Sequence, residues 1–305
     1  MSESVLLASG GGASPRPAAQ ARSHSENSAQ QIPSRRIEGK NVAPLQPVHG
    51  FDHAKKSSYC PETILRSFNT WSFKREQPSD QQMLLRVIAD CIDRNEPIPF
   101  LFYWGKGPRC HIDEHDIKCM EYLMSMAHRI SDAYEPGAAM RLIFTNTHAT
   151  LNGYPKIGID RYISEVEAEA HRRGFESSRL GDLIEQTHAQ AEDDFLDDLM
   201  SDELLEKLFI SAVKWYHGEG TAEEGANKYL QMNMVEKRAV ELAFPGAIFA
   251  TFNSSKFRIL FPKRQPIFYM YSLQRGVGVK PWFLPAELQP CDASNCQCRA
   301  AEETR

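Results

Sequence analysis

The stretch from Ile98 to Gly153 constrains this chain most, because it reads as strand, helix and strand with polar groups after each strand. The first strand is the apolar run Pro97–Trp104, closed by Gly105-Lys106-Gly107-Pro108-Arg109. The spacing of Ile117, Met120, Met124, Ala127 and Ile130 at three and four predicts a helix over about 116–133 with one buried face. Asp113 is placed to cap it, and Tyr134-Glu135-Pro136-Gly137 stops it. The second strand, Ala139–Thr145, runs straight into the polar loop Asn146–Gly153. A strand, a crossover helix and a strand of these lengths form a right-handed parallel unit. Both polar loops then share the carboxyl-terminal edge of the sheet, where open α/β sheets take ligands. Lys106 and Arg109 are thereby expected to face Asn146, His148 and Asn152 across one crevice.

The rest of the chain falls into segments by composition. Residues 1–45 are rich in Ser, Ala, Gly, Pro and Gln and carry too little apolar surface to offset the entropy of ordering, so they read as a disordered tail. Four arginines between Arg16 and Arg36 suggest a transit peptide, but Glu3, Glu26, Glu38 and the lack of an amphipathic face argue against one. A helical pattern covers about 62–94, with Leu84, Leu85, Ile88 and Ile92 on one face behind a cap at Ser79 or Asp80. It forms part of an α/β core over residues 46–180. Residues 181–285 form a helical and then β-rich part, followed by a flexible tail over 286–305. Within that part, helices are expected over about 181–217, broken near Met200-Ser201-Asp202, and over 222–243. Strands are expected at 246–252, 257–261 and 266–272.

Composition excludes several classes. A net charge of −5 without a basic stripe argues against nucleic-acid binding, and no apolar run reaches the roughly 20 residues that span a bilayer. Seven cysteines, an odd number spread over 305 residues, point to a reduced cytoplasmic protein rather than a disulfide scaffold.

Three constellations invite chemistry. Lys106 and Arg109, in a glycine-flanked turn after a strand, suit a phosphate or carboxylate, although the turn matches neither standard nucleotide loop. His148 at a strand end suits proton transfer near neutral pH, with Asn146 and Asn152 beside it to orient a substrate. Cys110, His111, His115 and Cys119 resemble zinc ligands, but converging them on one ion requires a special bend, and no metal site is assigned. The acidic run Glu192–Asp198 carries apolar residues at helical spacing and reads as a solvated helix face. Cys291, Cys296 and Cys298 cluster in the tail without a histidine partner.

The chain resembles the isocyanide (isonitrile) synthase family, which includes the pyoverdine and dityrosine biosynthesis enzymes acting on tyrosine or tryptophan. The resemblance runs over about residues 60–285 and is carried by Gly105-Lys106, Tyr134-Glu135-Pro136-Gly137 and Thr145-Asn146-Thr147-His148. Weaker echoes are Arg238, Phe257-Arg258-Ile259 and Lys280-Pro281-Trp282. It implies a Rossmann-like core. It also implies a reaction in which an amino acid's amine attacks the keto carbon of ribulose 5-phosphate and the sugar then fragments to leave one carbon on nitrogen, without a cofactor. On that footing Lys106 and Arg109 hold the phosphate or help move protons, His148 is the acid/base group, Arg258 takes the carboxylate, and Lys280 and Trp282 lie by the pocket. The family's aspartates are replaced by Asn146 and Asn152, and its Pro-Trp-His end reads Pro281-Trp282-Phe283. Two other classes stay open: a binding or regulatory module on the same fold, and a metal-dependent hydrolase using His111, His115 and Cys119.

Overall fold

The central strand β1, Ile98–Trp104, is buried along most of its length, as a strand covered on both faces must be. The computed structural model describes residues 59–78, 80–105, 110–190, 202–271, 273–274 and 277–278, all within the unit Asp52–Arg305. After β1 comes α3, Glu114–Ala133, preceded in the chain by α1, Pro61–Phe68, and α2, Gln81–Arg94. The start of α3 is fixed by a reciprocal cap. The Asp113 carboxylate accepts from His115 N at 2.8 Å and Asp116 N at 3.4 Å, while Asp116 accepts from Asp113 N at 2.9 Å. Gly137, at φ 72°, turns the chain into β2, Ala138–Phe144. β2 pairs parallel with β1 from Ile98↔Ala138 to Trp104↔Phe144, which is the parallel unit the sequence predicts.

The remaining strands are β3, Glu176–Arg179, β4, Ile248–Thr251, and β5, Ile267–Tyr269. They complete an all-parallel sheet in the order β3-β2-β1-β4-β5. A short hairpin, β6, Leu273–Gln274, with β7, Val277–Gly278, stands apart from it.

Alternation along β1 divides the core. Phe100, Phe102 and Trp104 pack with Ile64, Phe68, Ile88, Leu123 and Ile130 under α1–α3, joined by Tyr162 and Val166 of α5, Lys156–Arg172. Leu101, Ile143, Phe249 and Ile267 face the other way. They meet Leu180 and Leu183 of α6, Leu180–Thr187, and Ala239 and Val240 of α8, Ala222–Ala243. Helices thus cover both faces. No described helix is long and apolar enough to cross a membrane.

Four local expectations change. The 62–94 pattern is two helices, split where Lys74 bridges antiparallel to Met270. The loop expected after β2 begins as a helix, α4, Asn146–Leu151, because Ala149 is buried and Thr145 O accepts its N–H at 3.3 Å. The strand expected at 257–261 is a 3-10 helix, Ser255–Leu260, in which Leu260 is buried and Phe257 and Ile259 partly buried by packing against neighbours rather than by strand pairing. β3 has the polar sequence Glu-Ser-Ser-Arg, fit for a sheet edge and without strand periodicity to announce it. The expected tails at 1–45 and 286–305 lie outside the described residues.

Tyr134 locks α2 to the start of β1, its hydroxyl donating to Cys91 O and Glu96 O at 2.9 Å each. Burial pushes its pKa from 10.0 up to about 12. The folded state therefore holds a proton that the unfolded chain gives up near 10. This contribution to stability is intact below that value and is lost as the pH climbs to about 12. Urea unfolding followed across this window should show stability falling with pH, and less steeply in Tyr134→Phe.

Candidate active site

The chain steps from β1 to β2 to β3 in one direction, then crosses back so that β4 lies on the other side of β1. Strand order reverses there, and a parallel sheet opens a crevice at its carboxyl edge where that happens. A cavity of about 390 Å³ occupies this position. Tyr103 and Gly105 reach it from the end of β1, Thr145, His148 and Asn152 from the end of β2 and α4, and Asn253 from beyond β4. Its outer wall is Leu208 of α7, Asp202–Trp215, with Tyr229 and Asn233 of α8 and Phe257 and Phe261 of the segment after β4.

His148 is the centre of this cavity's polar end. Its Nε2 lies 2.5 Å from Oε2 of Glu236, a carboxylate on α8 with no solvent exposure, while the imidazole itself keeps 17% of its surface. The hydroxyl of Thr147 donates to the other Glu236 oxygen. His148 also packs on Tyr229, with ring centroids 4.7 Å apart. Burial, and then the charge of Glu236, push the hydroxyls of Tyr103 and Tyr229 well above their ordinary range, so both stay neutral near pH 7. Four buried atoms here, the Tyr103 hydroxyl, Asn233 Oδ1, His148 Nε2 and Glu236 Oε2, have no hydrogen-bond partner among the described residues, the last two meeting as an ion pair without hydrogen-bond geometry. A carboxylate behind a histidine that faces a cavity is an arrangement for accepting and returning a proton.

Several expected site residues lie elsewhere. Asn146 does not line the cavity; its Oδ1 accepts from Gly181 N at 3.1 Å and joins α4 to α6. Asn152 does line it, and its carbonyl accepts from His217 N at 3.1 Å. Arg258 is turned inward on its own loop. It donates to Pro262 O at 2.8 Å, Lys263 O at 3.0 Å, Phe261 O at 3.3 Å and Gln265 O at 3.4 Å, the geometry of a clamp on the turn into β5. Lys106, Arg109, Lys280 and Trp282 lie outside the described residues, as do the acidic run 192–198 and the tail cysteines. The histidines near α3 have separate partners: His111 Nδ1 sits 2.8 Å from Glu165 Oε1, and His115 Nδ1 lies 3.4 Å from Asp113 Oδ1. Among the described residues no group of three or more His, Cys, Asp or Glu is placed to hold a metal ion.

The residues that sequence reasoning missed are Glu236, Asn233, Tyr229, Thr147 and Tyr103. A signal for three of them was present, since Tyr229, Asn233 and Glu236 recur at four and three along α8 and interrupt its apolar face. If Arg258 is a clamp, Arg258→Met should lower stability by about 2 kcal/mol in urea unfolding, the scale of losing charge-assisted bonds to carbonyls. The loss should be the same with and without ligand.

No family model matches the chain, and no curated protein matches it. Among solved structures it is similar to PvcA from Pseudomonas aeruginosa, with 18% identity and a TM-score of 0.56 over 73% of this chain and 87% of that one. Tyrosyl-tRNA synthetase from Pyrococcus horikoshii, solved with L-tyrosine, aligns at 14% identity and a TM-score of 0.39 over 73% of this chain and 58% of that one, too slight a likeness to argue from. The likeness to PvcA shows the fold: the chain is an α/β protein built on the same parallel sheet with flanking helices, a remote structural relative of PvcA.

Proposed function

We propose that this chain is an isonitrile-synthase-like biosynthetic enzyme that joins the amine of an amino acid to ribulose 5-phosphate. The observation that carries the reading is the buried Glu236 behind His148, at the cavity where strand order reverses. The fold shared with PvcA and the motifs from Gly105 to His148 support it. Condensation of an amine with a ketone needs a group that removes a proton from nitrogen and later delivers one to oxygen. His148 has the position and the partner for both. The phosphate falls to Lys106 and Arg109, which follow Gly105 of the cavity wall in sequence, with Lys280 and Trp282 as further binding groups. Asn152 orients the substrate from the same wall. Lys207 of α7 lines the cavity and takes the carboxylate role first considered for Arg258. Asn146 supports His148 by fixing α4 rather than by touching substrate. Among the described residues Cys60, Cys91, Cys110 and Cys119 form no disulfide, which suits a reducing, cytoplasmic setting.

A second reading, a binding module that kept the fold, draws on Asn146 and Asn152 where the family carries aspartates. Mass spectrometry separates the two. The protein incubated with ribulose 5-phosphate and a panel of amino acids should yield a product with one added carbon on nitrogen, and His148→Gln should cut the rate by roughly a hundredfold or more. Thermal stabilisation by the sugar phosphate without product would favour the binding module, and neither effect would overturn both.

A further inference from the structure

Away from the cavity, the turn that follows α1 holds a positive charge that its neighbours leave unbalanced. Thr70 O accepts from Phe73 N at 2.9 Å and from Lys74 N at 2.7 Å, which coils the chain once and sets Trp71 and Lys74 three residues apart on one side. The Tyr122 hydroxyl fixes the turn by donating to Ser72 O at 2.9 Å. Lys74 then bridges antiparallel to Met270, between the bonds from Arg75 N to Tyr269 O at 2.8 Å and from Tyr271 N to Phe73 O at 2.7 Å. Residues paired in this way share a face, so the Lys74 stem lies with the wholly buried Met270, and Lys74 keeps 7% of its surface.

Lys74 Nζ rests 4.7 Å from the centroid of the Trp71 ring. Among the described residues it meets no carboxylate and no hydrogen-bond acceptor. The turn from Asn69 to Lys74 contains no acid. Glu76, the next acid along, instead accepts from Ser255 N at 2.8 Å and Ser255 Oγ at 2.7 Å. A ring face attracts an ammonium but offers no lone pair to its three N–H groups, so a carboxylate brought from outside would complete the set. Trp71 itself is 73% exposed, and an indole of this kind beside a fixed charge is what carries binding energy in interfaces.

Shape selects the class of occupant. Small molecules are held in concavities that bury most of them, which a ring standing mostly in solvent does not offer, whereas a second protein brings its own walls. One cation on a chain of net charge −5 does not suit a row of nucleic-acid phosphates. We infer that Trp71 and Lys74 form the centre of a docking surface for a partner protein that presents an acidic segment, with a carboxylate on the Lys74 ammonium and an apolar side chain over Trp71. Lys74 stands opposite Met270, just past the end of β5, so the partner docks at the carboxyl edge of the sheet, where the cavity opens. The two places are tied together. Arg75 Nη1 donates to Phe252 O at 3.4 Å and Glu76 holds Ser255, and between them stands Asn253 of the cavity wall.

Proton–nitrogen NMR of the labelled full chain tests this by the Trp71 indole signal, assigned by its loss in Trp71→Phe. The probes are a synthetic peptide of alternating glutamate and leucine and the same peptide with glutamine for glutamate. At low salt the acidic peptide should shift the signal and bind about tenfold or more tighter than the neutral one, and molar salt should remove most of that preference. Lys74→Met should abolish the preference and leave the neutral peptide's affinity unchanged. Should it fail to fold, Trp71→Ala, at an exposed position, should weaken the acidic peptide about tenfold by calorimetry. An unmoved Trp71 signal at millimolar acidic peptide, equal affinity for the two peptides, or unchanged affinity in a folded variant would overturn the surface. Tighter binding of a thymidine oligonucleotide than of the acidic peptide would overturn it as well.

Discussion

Parallel pairing of β1 with a strand on each side is the constraint from which the rest follows. β2 and β4 both run with β1, so three strands deliver their following loops to one edge. Because β2 and β3 lie on one side and β4 and β5 on the other, the loops after β1 and β4 diverge and leave space between them. The same pairing buries β1 on both faces, which demands helices above and below. α8 is one of those helices, and it carries Tyr229, Asn233 and Glu236 past the end of β2. The core and the candidate site are therefore set by one arrangement. Ala239 and Val240 hold α8 on the sheet, and Glu236, one turn earlier, meets His148.

Burying Glu236 is costly unless its oxygens are engaged, since an isolated carboxylate loses its hydration. Thr147 and His148, adjacent in α4, approach one oxygen each. The short helix α4 is what brings these neighbours to the same carboxylate, which an extended loop would direct apart. The cost of a buried charge is tolerable when it holds in place a group that must work. The two neutral tyrosines around it keep the site polar without adding a competing negative charge.

Much of the fold was legible because it rests on local periodicity. The apolar run at Ile98–Trp104, the three-and-four spacing after Asp113 and the stop at Gly137 each have a direct physical cause, and each stands in the structure. Helix α8 was read to its ends. What escaped depends on partners distant in sequence. The run Phe257–Phe261 looks like a strand because aromatics favour any half-buried surface, and here that surface is offered by Phe249, α7 and α8. β3 is made of polar residues that only an adjacent β2 turns into a strand. His148, which lines the cavity, was legible as a candidate because a histidine after a strand stands out. Glu236 was not, because a glutamate in a charged helix looks solvated until α4 lies over it. Arg258 shows the converse, a cation among aromatics whose donors are taken by its own turn.

The account turns on the protonation of one ring. Long-range proton–nitrogen NMR of labelled protein near neutral pH, with the His148 signals assigned by their loss in His148→Gln, reads it directly. The account predicts a proton on Nε2, the nitrogen that meets the Glu236 carboxylate, with that preference lost in Glu236→Gln. A proton on Nδ1 with Nε2 bare would contradict it, because Glu236 would then face a lone pair and the two would not form an ion pair.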